Sequence, residues 1–245
     1  MNQNNPYIEY RQNDIHQEIK NIPSGTIDFI YTSPPYGITK AKWDKPLDWK
    51  NLFPEMWRVL KPNGVIALHC SMPFTYELLK YETPKYHYTW KKNNSTGGMN
   101  AKYQPLRDCE EIMIYNKIKG TYNPQMRGNE VIQKRYMVDK STNNYLDGST
   151  NKNLKSFVSK TESHTGRYPT TFLEYPIRPP REKSGISRCN EMIDFFIKTY
   201  TNEKDSVLDM TCCNEFVGDR CRALNRNYLG IDIQLKPYDT TRKLI

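Results

Sequence analysis

The sequence predicts an α/β fold, in which a sheet of parallel strands is connected by helices. Short β-branched and aromatic runs at 27–32 and 65–69 are typical of buried strands. Apolar residues at helical spacing occupy 48–60 and 190–200. Because strands that alternate with helices pair in parallel through crossover connections, this order favours an α/β sheet.

In the first half of the chain, each element has its own signal. The strand at 27–32 ends at Ser33-Pro34-Pro35, which neither a helix nor a strand interior accommodates. The helix at 48–60 contains Pro54 but keeps its apolar spacing, and Lys61-Pro62-Asn63-Gly64 predicts a stop and a turn. The remaining elements predicted here are helices at 14–22 and 73–80 and strands at 65–69, 86–92 and 110–115.

The last quarter repeats the α/β pattern and ends a strand on a carboxylate. Strands are predicted at 205–209 and 228–232, with a helix at 216–224 between them. Asp232 lies 23 residues after Asp209. A strand, loop, helix and strand with a terminal acid is the layout of a nucleotide-type cofactor site, where the acid hydrogen-bonds ribose hydroxyls. Any buried βαβ unit can show the same pattern.

Between these parts, residues 118–165 have a different composition. The segment is rich in Asn, Lys, Ser, Thr and Gly and has no clear period. It has nine basic residues, counting Arg167 just beyond it, against four acidic ones. The composition alone fits a solvated or disordered loop as well as it fits a binding segment.

Composition limits the class of protein further. The 245 residues include 36 Lys and Arg against 27 Asp and Glu, a net charge of +9 that weakly favours a polyanionic partner. The chain has no apolar run long enough for a membrane helix and its first residues lack an apolar signal core, so we expect neither a membrane nor a secreted protein. Its six cysteines and four histidines are scattered, which indicates reduced intracellular thiols rather than a zinc site.

The segment Thr32-Ser33-Pro34-Pro35-Tyr36-Gly37 is the sharpest chemical feature of the sequence. Consecutive prolines remove two backbone donors and hold the neighbouring carbonyls rigidly. At the carboxyl end of a buried strand, such a cluster can accept hydrogen bonds from an exocyclic amine while the aromatic ring stacks on its heterocycle. The alternative is a proline-stiffened turn with a core tyrosine.

Ser33-Pro34-Pro35-Tyr36 resembles the (D/N/S)-P-P-(Y/F/W) motif of the amino DNA methyltransferases. The similarity covers about 26–233 and includes the runs SPPYGITKAKWDKPLDW, MWRVLKPNGVIALHC, NAKYQPLRDCEEIMIYNK, TYNPQM, GRYPTTFLEY, VLDM and NRNYLGIDI, as in compact phage and viral methylases. The catalytic motif precedes the cofactor strand, which is the β-class order. The resemblance implies a Rossmann-like S-adenosylmethionine-dependent methyltransferase sandwich.

The resemblance also implies a division of labour within a single domain over 1–245. Residues 14–117 would form the catalytic half, 118–165 an inserted basic target-recognition segment and 166–245 the cofactor half. Ser33, Pro34, Pro35 and Tyr36 would handle the extruded base, with the Ser33 hydroxyl and the Pro34 carbonyl accepting from its amino group. The implied cofactor residues are Asp209, Thr211, Cys213, Asp232 and Arg188, and the proposed DNA contacts are Lys134, Arg135, Lys152 and Lys155.

The cofactor region departs from the family pattern. Cys213 and Glu215 occupy the positions of two glycines, which in the family let the backbone adopt positive φ near the cofactor. Upstream, only the basic Arg188 remains of a second cofactor motif. Affinity for S-adenosylmethionine is therefore open at this point.

Several interpretations follow from the resemblance. The main one is an intracellular enzyme (cytoplasmic, or in the nucleus or viral factory for a eukaryotic virus) that methylates adenine N6 in double-stranded DNA. Serine at the first motif position is frequent in cytosine-N4 enzymes, but the chain-wide similarity favours adenine. The alternatives are a cofactor-deficient DNA-binding subunit that supports an active partner, and a related fold acting on RNA or another amine. A homodimer or a heteromeric methyltransferase partner is compatible with each.

Overall fold

The computed structural model describes residues 5–139, 157–177, 189–213 and 216–235. The chain divides into two compact units, one formed by Met1–Asn123 with Thr171–Ile245 and the other by Pro124–Thr170. The first unit contains an eight-stranded sheet flanked by helices, and the second contains two paired strands. Across these described ranges, every helix is too short or too polar to cross a bilayer.

The larger unit is a three-layer α/β structure with the sheet in the middle. Its strands lie side by side in the order β1-β10-β9-β2-β3-β5-β4-β8. The strands of this sheet are β1 (Ile8–Gln12), β2 (Ile27–Thr32), β3 (Leu60–Cys70), β4 (Tyr86–Thr96), β5 (Arg107–Tyr115), β8 (Phe172–Glu174), β9 (Ser206–Asp209) and β10 (Asn227–Asp232). The helices are α1 (Ile15–Glu18), α2 (Trp49–Val59), α3 (Phe74–Leu78), α4 (Asn190–Tyr200) and α5 (Phe216–Ala223), with short 3₁₀ turns at Ile19–Asn21 and Gly98–Asn100.

The sheet is mixed, which corrects the expectation of parallel strands throughout. Among the described strands of this sheet, β5 alone runs antiparallel to its neighbours β3 and β4. The reason is the connection: β4 and β5 are joined by a loop with a single 3₁₀ turn at Gly98–Asn100, whereas parallel neighbours require a crossover. The remaining pairs are parallel, so β1, β10, β9, β2 and β3 all end at one edge.

Alternation along β2 explains the two apolar layers. All six residues of β2 are buried. Phe29 and Tyr31 point to the layer that contains α4, where the Tyr31 ring stacks on Phe196 at 5.4 Å, and Ile30 packs in the opposite layer with Met56 of α2. A central strand covered on both faces reads as a continuous apolar run, which is the signal that the sequence contained.

The end of α2 differs in one respect from the sequence prediction. Helix α2 begins after Asp48, whose carboxylate accepts from the Asn51 N–H at 3.3 Å, and it includes Pro54 as expected. The predicted turn at 61–64 is instead the first part of β3, where the register with β2 jumps from Leu60 to Val65. The turn residues are accommodated as an irregularity of the strand because Leu60 already pairs with β2.

The elements near the carboxyl terminus are confirmed, and two short strands were missed. Helices α4 and α5 and strands β9 and β10 lie within a residue or two of the predicted bounds. Strand β1 was not predicted because Glu9 and Arg11 interrupt its apolar residues, and it forms through pairing with β10. Strand β8 has three residues and pairs with β4.

The second unit is an antiparallel pair formed by β6 (Arg127–Asp139) and β7 (Phe157–Arg167). The composition of this segment shows no period from which these two strands could be predicted. Val131 is 69% exposed, so at this position β6 presents an apolar side chain to solvent rather than to a core. At the open end, Gly166 with φ of +80° lies against Arg127 and Gly128, where an added Cβ would come within 2.6 Å of the Gly128 carbonyl oxygen.

Candidate active site

The predicted base-handling and cofactor residues meet at one edge of the sheet. Ser33 follows the carboxyl end of β2, Asp209 ends β9 and Asp232 ends β10. Strands β2, β9 and β10 are parallel neighbours, so their ends lie side by side. Crevices beyond the carboxyl ends of parallel strands are where α/β folds bind ligands.

The proline motif presents a half-buried aromatic face. Pro34 is buried, while Ser33, Pro35 and Tyr36 are half-buried. The Tyr36 ring stacks on Phe74 at 5.2 Å with an interplanar angle of 16°, and its hydroxyl donates to Glu110 Oε2 at 3.3 Å. One contact orients the ring plane and the other fixes its far end, so Tyr36 is held as a platform at this edge.

Glu110 also belongs to a buried ion pair that sequence patterns did not predict. Lys92 Nζ donates to Glu110 Oε1 at 2.9 Å, and the lysine side chain is only 4% exposed. A buried ammonium without its carboxylate is strongly destabilising, so this pair fixes the position of Glu110 and, through it, of the Tyr36 hydroxyl. The signal in the sequence was the acidic pair Glu110-Glu111 next to the apolar run of β5.

The loop after Tyr36 closes on the carboxylate of Asp44. Asp44 Oδ1 accepts from the Gly37 N–H at 2.7 Å, and Oδ2 accepts from the Ile38 and Thr39 N–H groups at 3.0 and 2.7 Å. Gly37 has φ of +67°, and an added Cβ would lie 2.6 Å from Pro46 Cγ. Glycine is therefore required at the turn, and Asp44 determines the path of the backbone beyond it.

Asp44 gives the fold a defined acid sensitivity. Burial acts to raise the pKa of Asp44, but hydrogen bonds from Thr39, Gly37 and Ile38 outweigh it and lower the pKa below 3.8. Its stabilising contribution is complete above the pKa of the unfolded chain and is lost as pH falls through the lower pKa of the folded chain. We expect Asp44→Asn to lower the free energy of unfolding at pH 7 by about 2 kcal/mol. The deficit should shrink below about pH 4 in urea titrations, and a deficit independent of pH would contradict the role of the charge.

The loop after β9 is tied to the end of β2 by a hydroxyl pair. Thr211 Oγ1 lies 2.9 Å from Thr32 Oγ1, the residue immediately before Ser33. The Thr211 N–H donates to Asp209 Oδ1 at 3.2 Å, and Asp209 is buried. Thr211 and Asp209 therefore fix the start of the loop relative to the base-handling motif.

Cys213 adopts the backbone conformation expected of the glycine it replaces. Its φ is +54°, in the left-handed region that residues with a side chain rarely adopt. Cys213 is also exposed. Its N–H donates to Asp232 Oδ2 at 2.8 Å, while Asp232 Oδ1 accepts from the Gln234 N–H at 2.8 Å. Each carboxylate oxygen retains a second lone pair, so Asp232 can still accept from ribose hydroxyls. The described residues thus fit a nucleoside-type cofactor.

Replacing Cys213 by glycine tests whether the altered loop limits cofactor binding. Glycine lets the backbone approach a ligand closely, whereas a Cβ holds the ligand further away. We expect Cys213→Gly to bind S-adenosylmethionine several-fold more tightly in calorimetric titrations, and Cys213→Ala, which keeps the Cβ, to resemble the wild type. Weaker binding by the glycine variant than by the alanine variant would indicate that the loop depends on the restricted backbone.

Part of the predicted site lies outside the described residues. The residues that cannot be placed for this reason are Arg188, Lys152, Lys155 and Glu215. Lys134 and Arg135 are on β6, in register with Glu162 and Thr161 of β7. The sequence assignments of these residues to the cofactor and to DNA remain predictions.

The Tyr36 ring and the carboxylates of Asp209 and Asp232 therefore lie at one edge of the sheet. A family model for DNA methylases of the N6/N4 type matches residues 27–243. The chain therefore belongs to the N6/N4 DNA methylase family.

Relatives and solved structures agree with this assignment. The type II methyltransferase M.HpaI of Haemophilus parainfluenzae is 27% identical over 229 residues, which cover 88% of this chain and 67% of that protein. The type II methyltransferase M2.LlaDCHI of Lactococcus lactis subsp. cremoris is 23% identical and covers 89% and 82%. The M1.HpyAVI–SAM complex has a TM-score of 0.58 at 22% identity, covering 93% of this chain and 94% of that one. The cytosine-N4-specific PvuII DNA methyltransferase has a TM-score of 0.60 at 12% identity, covering 95% and 86%. These structures confirm the predicted methyltransferase fold.

Proposed function

We propose that this protein is a site-specific DNA methyltransferase that modifies the N6 amino group of adenine. The observation that carries the proposal is the rigid Ser33-Pro34-Pro35-Tyr36 motif, with its ring stacked on Phe74, beside the Asp209 and Asp232 strand ends. Family membership supports amino-group methylation of DNA. The choice of adenine rests on the chain-wide resemblance to adenine-modifying phage and viral methylases.

S-adenosylmethionine is the cofactor, and when bound it supplies an activated methyl group. Asp232 would accept hydrogen bonds from its ribose hydroxyls. Thr211 and Cys213 would line the loop beside it, and Asp209 would close the strand beneath. Arg188 is proposed as a further cofactor contact from its place in the sequence.

The base-handling residues position the amino nitrogen rather than react with it. An enzyme acting on a paired base must extrude it from the duplex, and the Tyr36 ring offers a face on which the extruded base can stack. The Ser33 hydroxyl and the Pro34 carbonyl would accept hydrogen bonds from the amino group, which concentrates electron density on its nitrogen. Pro35 stiffens this arrangement. Because the motif positions and polarises the amino nitrogen, its contribution to catalysis is mainly orientation and electrostatics.

Double-stranded DNA is the proposed substrate, and residues 118–165 the proposed target-recognition segment. The two-stranded unit formed by β6 and β7 supports this because its strands expose polar side chains such as those of Thr161, Ser163 and Thr165. Lys134, Arg135, Lys152 and Lys155 would contact phosphates, which makes binding depend on salt.

The proposal includes assembly with a second chain, either as a homodimer or with a heteromeric methyltransferase partner. The name of the relative M2.LlaDCHI, which numbers it as a second methyltransferase, is compatible with the heteromeric form. An enzyme of this kind works inside the cell.

Cytosine N4 is the second candidate target. Ser33, where adenine-modifying relatives mostly have aspartate, favours it, and the fold is shared with the cytosine-N4-specific PvuII enzyme. A cofactor-deficient DNA-binding subunit is less well supported, because Cys213 keeps the left-handed backbone and its bond to Asp232.

Mass spectrometry of nucleosides tests the function and the target base together. Unmethylated genomic DNA incubated with the pure protein and S-adenosylmethionine should yield N6-methyladenine above a Ser33→Ala control. N4-methylcytosine instead would assign the enzyme to cytosine. Absence of both products at saturating cofactor, together with intact DNA binding, would favour the cofactor-deficient subunit.

A further inference from the structure

An exposed basic loop lies directly beside the aromatic platform. Residues 37–43 follow Tyr36 without interruption, and most of them are exposed. Lys40, Lys42 and Lys45 are exposed, and among the described residues no carboxylate forms an ion pair with any of them. Trp43 is 56% exposed, an unusual position for the largest apolar side chain. We refer to residues 37–45 as the platform loop.

The shape of the platform loop is fixed before any partner binds. The Asp44 carboxylate accepts hydrogen bonds from three backbone N–H groups at the start of the loop. The Asp44 N–H donates to the Ala41 carbonyl at 3.0 Å. The Lys45 N–H in turn donates to the Trp43 carbonyl at 2.9 Å. A loop so constrained loses little conformational entropy when it docks, which favours binding.

The charge of the platform loop is uniformly positive at its surface. Asp44 is the one acidic residue between Gly37 and Lys45, and it is buried with its oxygens engaged by backbone amides. Three ammonium groups therefore face solvent next to the place where a base would stack on Tyr36. Lysines suit phosphates as point charges, and an exposed tryptophan offers a face for base stacking.

We propose that the platform loop is a DNA-binding element separate from the β6–β7 unit: Lys40, Lys42 and Lys45 bind phosphates flanking the target nucleotide, and Trp43 stacks on a neighbouring base. This inference rests on the proposed function, since it takes duplex DNA as the substrate. Asp44 serves it as a positioning residue, because it fixes the backbone that carries these four side chains.

The test compares two triple variants that remove the same number of positive charges. One is Lys40→Gln, Lys42→Gln and Lys45→Gln. The control is Lys20→Gln, Lys85→Gln and Lys198→Gln, three exposed lysines near the opposite edge, where the strands begin. Binding to a labelled mixed-sequence duplex is measured by fluorescence anisotropy from about 50 to 200 mM salt.

The loop variant should bind DNA at least about tenfold more weakly. The slope of log affinity against log salt should fall by about 3, because each substituted lysine leaves one phosphate without its ammonium partner. The control triple should keep the wild-type slope to within about 1. In methylation assays the loop variant should raise KM for DNA more than it lowers kcat. Equal slopes for the loop variant and the wild type would overturn the inference.

Trp43 provides a local readout that does not depend on catalysis. Trp49 and Trp90 are each 2% exposed, so acrylamide quenching of the wild type reports largely on Trp43 and the half-buried Trp57. Duplex DNA should reduce this quenching, and Trp43→Phe should lose most of the reduction. Unchanged quenching with DNA bound would contradict stacking by Trp43. Wild-type protein that binds DNA without methylating it would contradict the proposed function and leave the loop comparison valid, whereas wild-type protein that binds no DNA would contradict both.

Discussion

Replacing Ser33 by alanine is expected to reduce methyl transfer by at least about 100-fold, while the affinity for duplex DNA changes by less than about twofold. Ser33 lies at the end of a fully buried strand, and the Thr32–Thr211 hydroxyl pair fixes the preceding residue. In the proposed function, its hydroxyl accepts a hydrogen bond from the target amino group, and this bond strengthens as charge develops during transfer. Loss of such an interaction lowers kcat rather than binding.

A conservative variant distinguishes this chemical role from a structural one. Ser33→Asp restores a side-chain acceptor, in the form found in other members of the family, and should recover part of the activity lost in Ser33→Ala. Single-turnover rates on genomic DNA provide the measurement, with DNA affinity measured in parallel. Wild-type rates in Ser33→Ala would remove Ser33 from the mechanism.

Replacing Asp232 by alanine is expected to weaken S-adenosylmethionine binding by about 100-fold. Hydrogen bonds to a charged group contribute about 1.5 to 3 kcal/mol each, and the alanine variant loses both those to the cofactor and those that shape the loop. The Cys213 and Gln234 amides, at 2.8 Å each from the carboxylate, would lose their acceptor. The effect should appear as a raised Kd in calorimetry.

Two further variants isolate the carboxylate at Asp232. Asp232→Asn keeps one carbonyl oxygen and should fall between the wild type and Asp232→Ala. Glu203→Gln removes an equal charge at an exposed position before β9 and should leave the Kd unchanged. If Asp232→Ala bound the cofactor like the wild type, the ribose would have to be held elsewhere.

Local sequence patterns were sufficient for the elements that are buried on both faces or strongly periodic. Strand β2 and helix α4 show this, since every position of the strand is buried and most of the helix is apolar and buried. The same patterns failed where pairing alone creates the strand. Strand β1 contains Glu9 and Arg11 and is stable because β10 lies beside it.

The residues of the candidate site also differ in whether the sequence alone could identify them. The motif Ser33 to Tyr36 and the carboxylates Asp209 and Asp232 could be recognised, because their chemistry is tied to strand ends in the sequence. The side chains that hold Tyr36 could not, because they come from distant positions. Phe74 and Glu110 reach it only after α3 has packed in its layer and β5 has paired with β3.

By itself, the sequence determined that this is an α/β chain with the Ser33-Pro34-Pro35-Tyr36 motif at the end of one strand and the acid Asp232 at the end of another. Those features are local: a buried strand and the residue that ends it are adjacent in the chain. Tertiary structure decided that β5 runs antiparallel, that Lys92 pairs with the Glu110 that accepts from the Tyr36 hydroxyl, and that Asp44 shapes the platform loop. These contacts depend on burial and hydrogen-bond geometry in the folded chain, which spacing along the sequence does not specify.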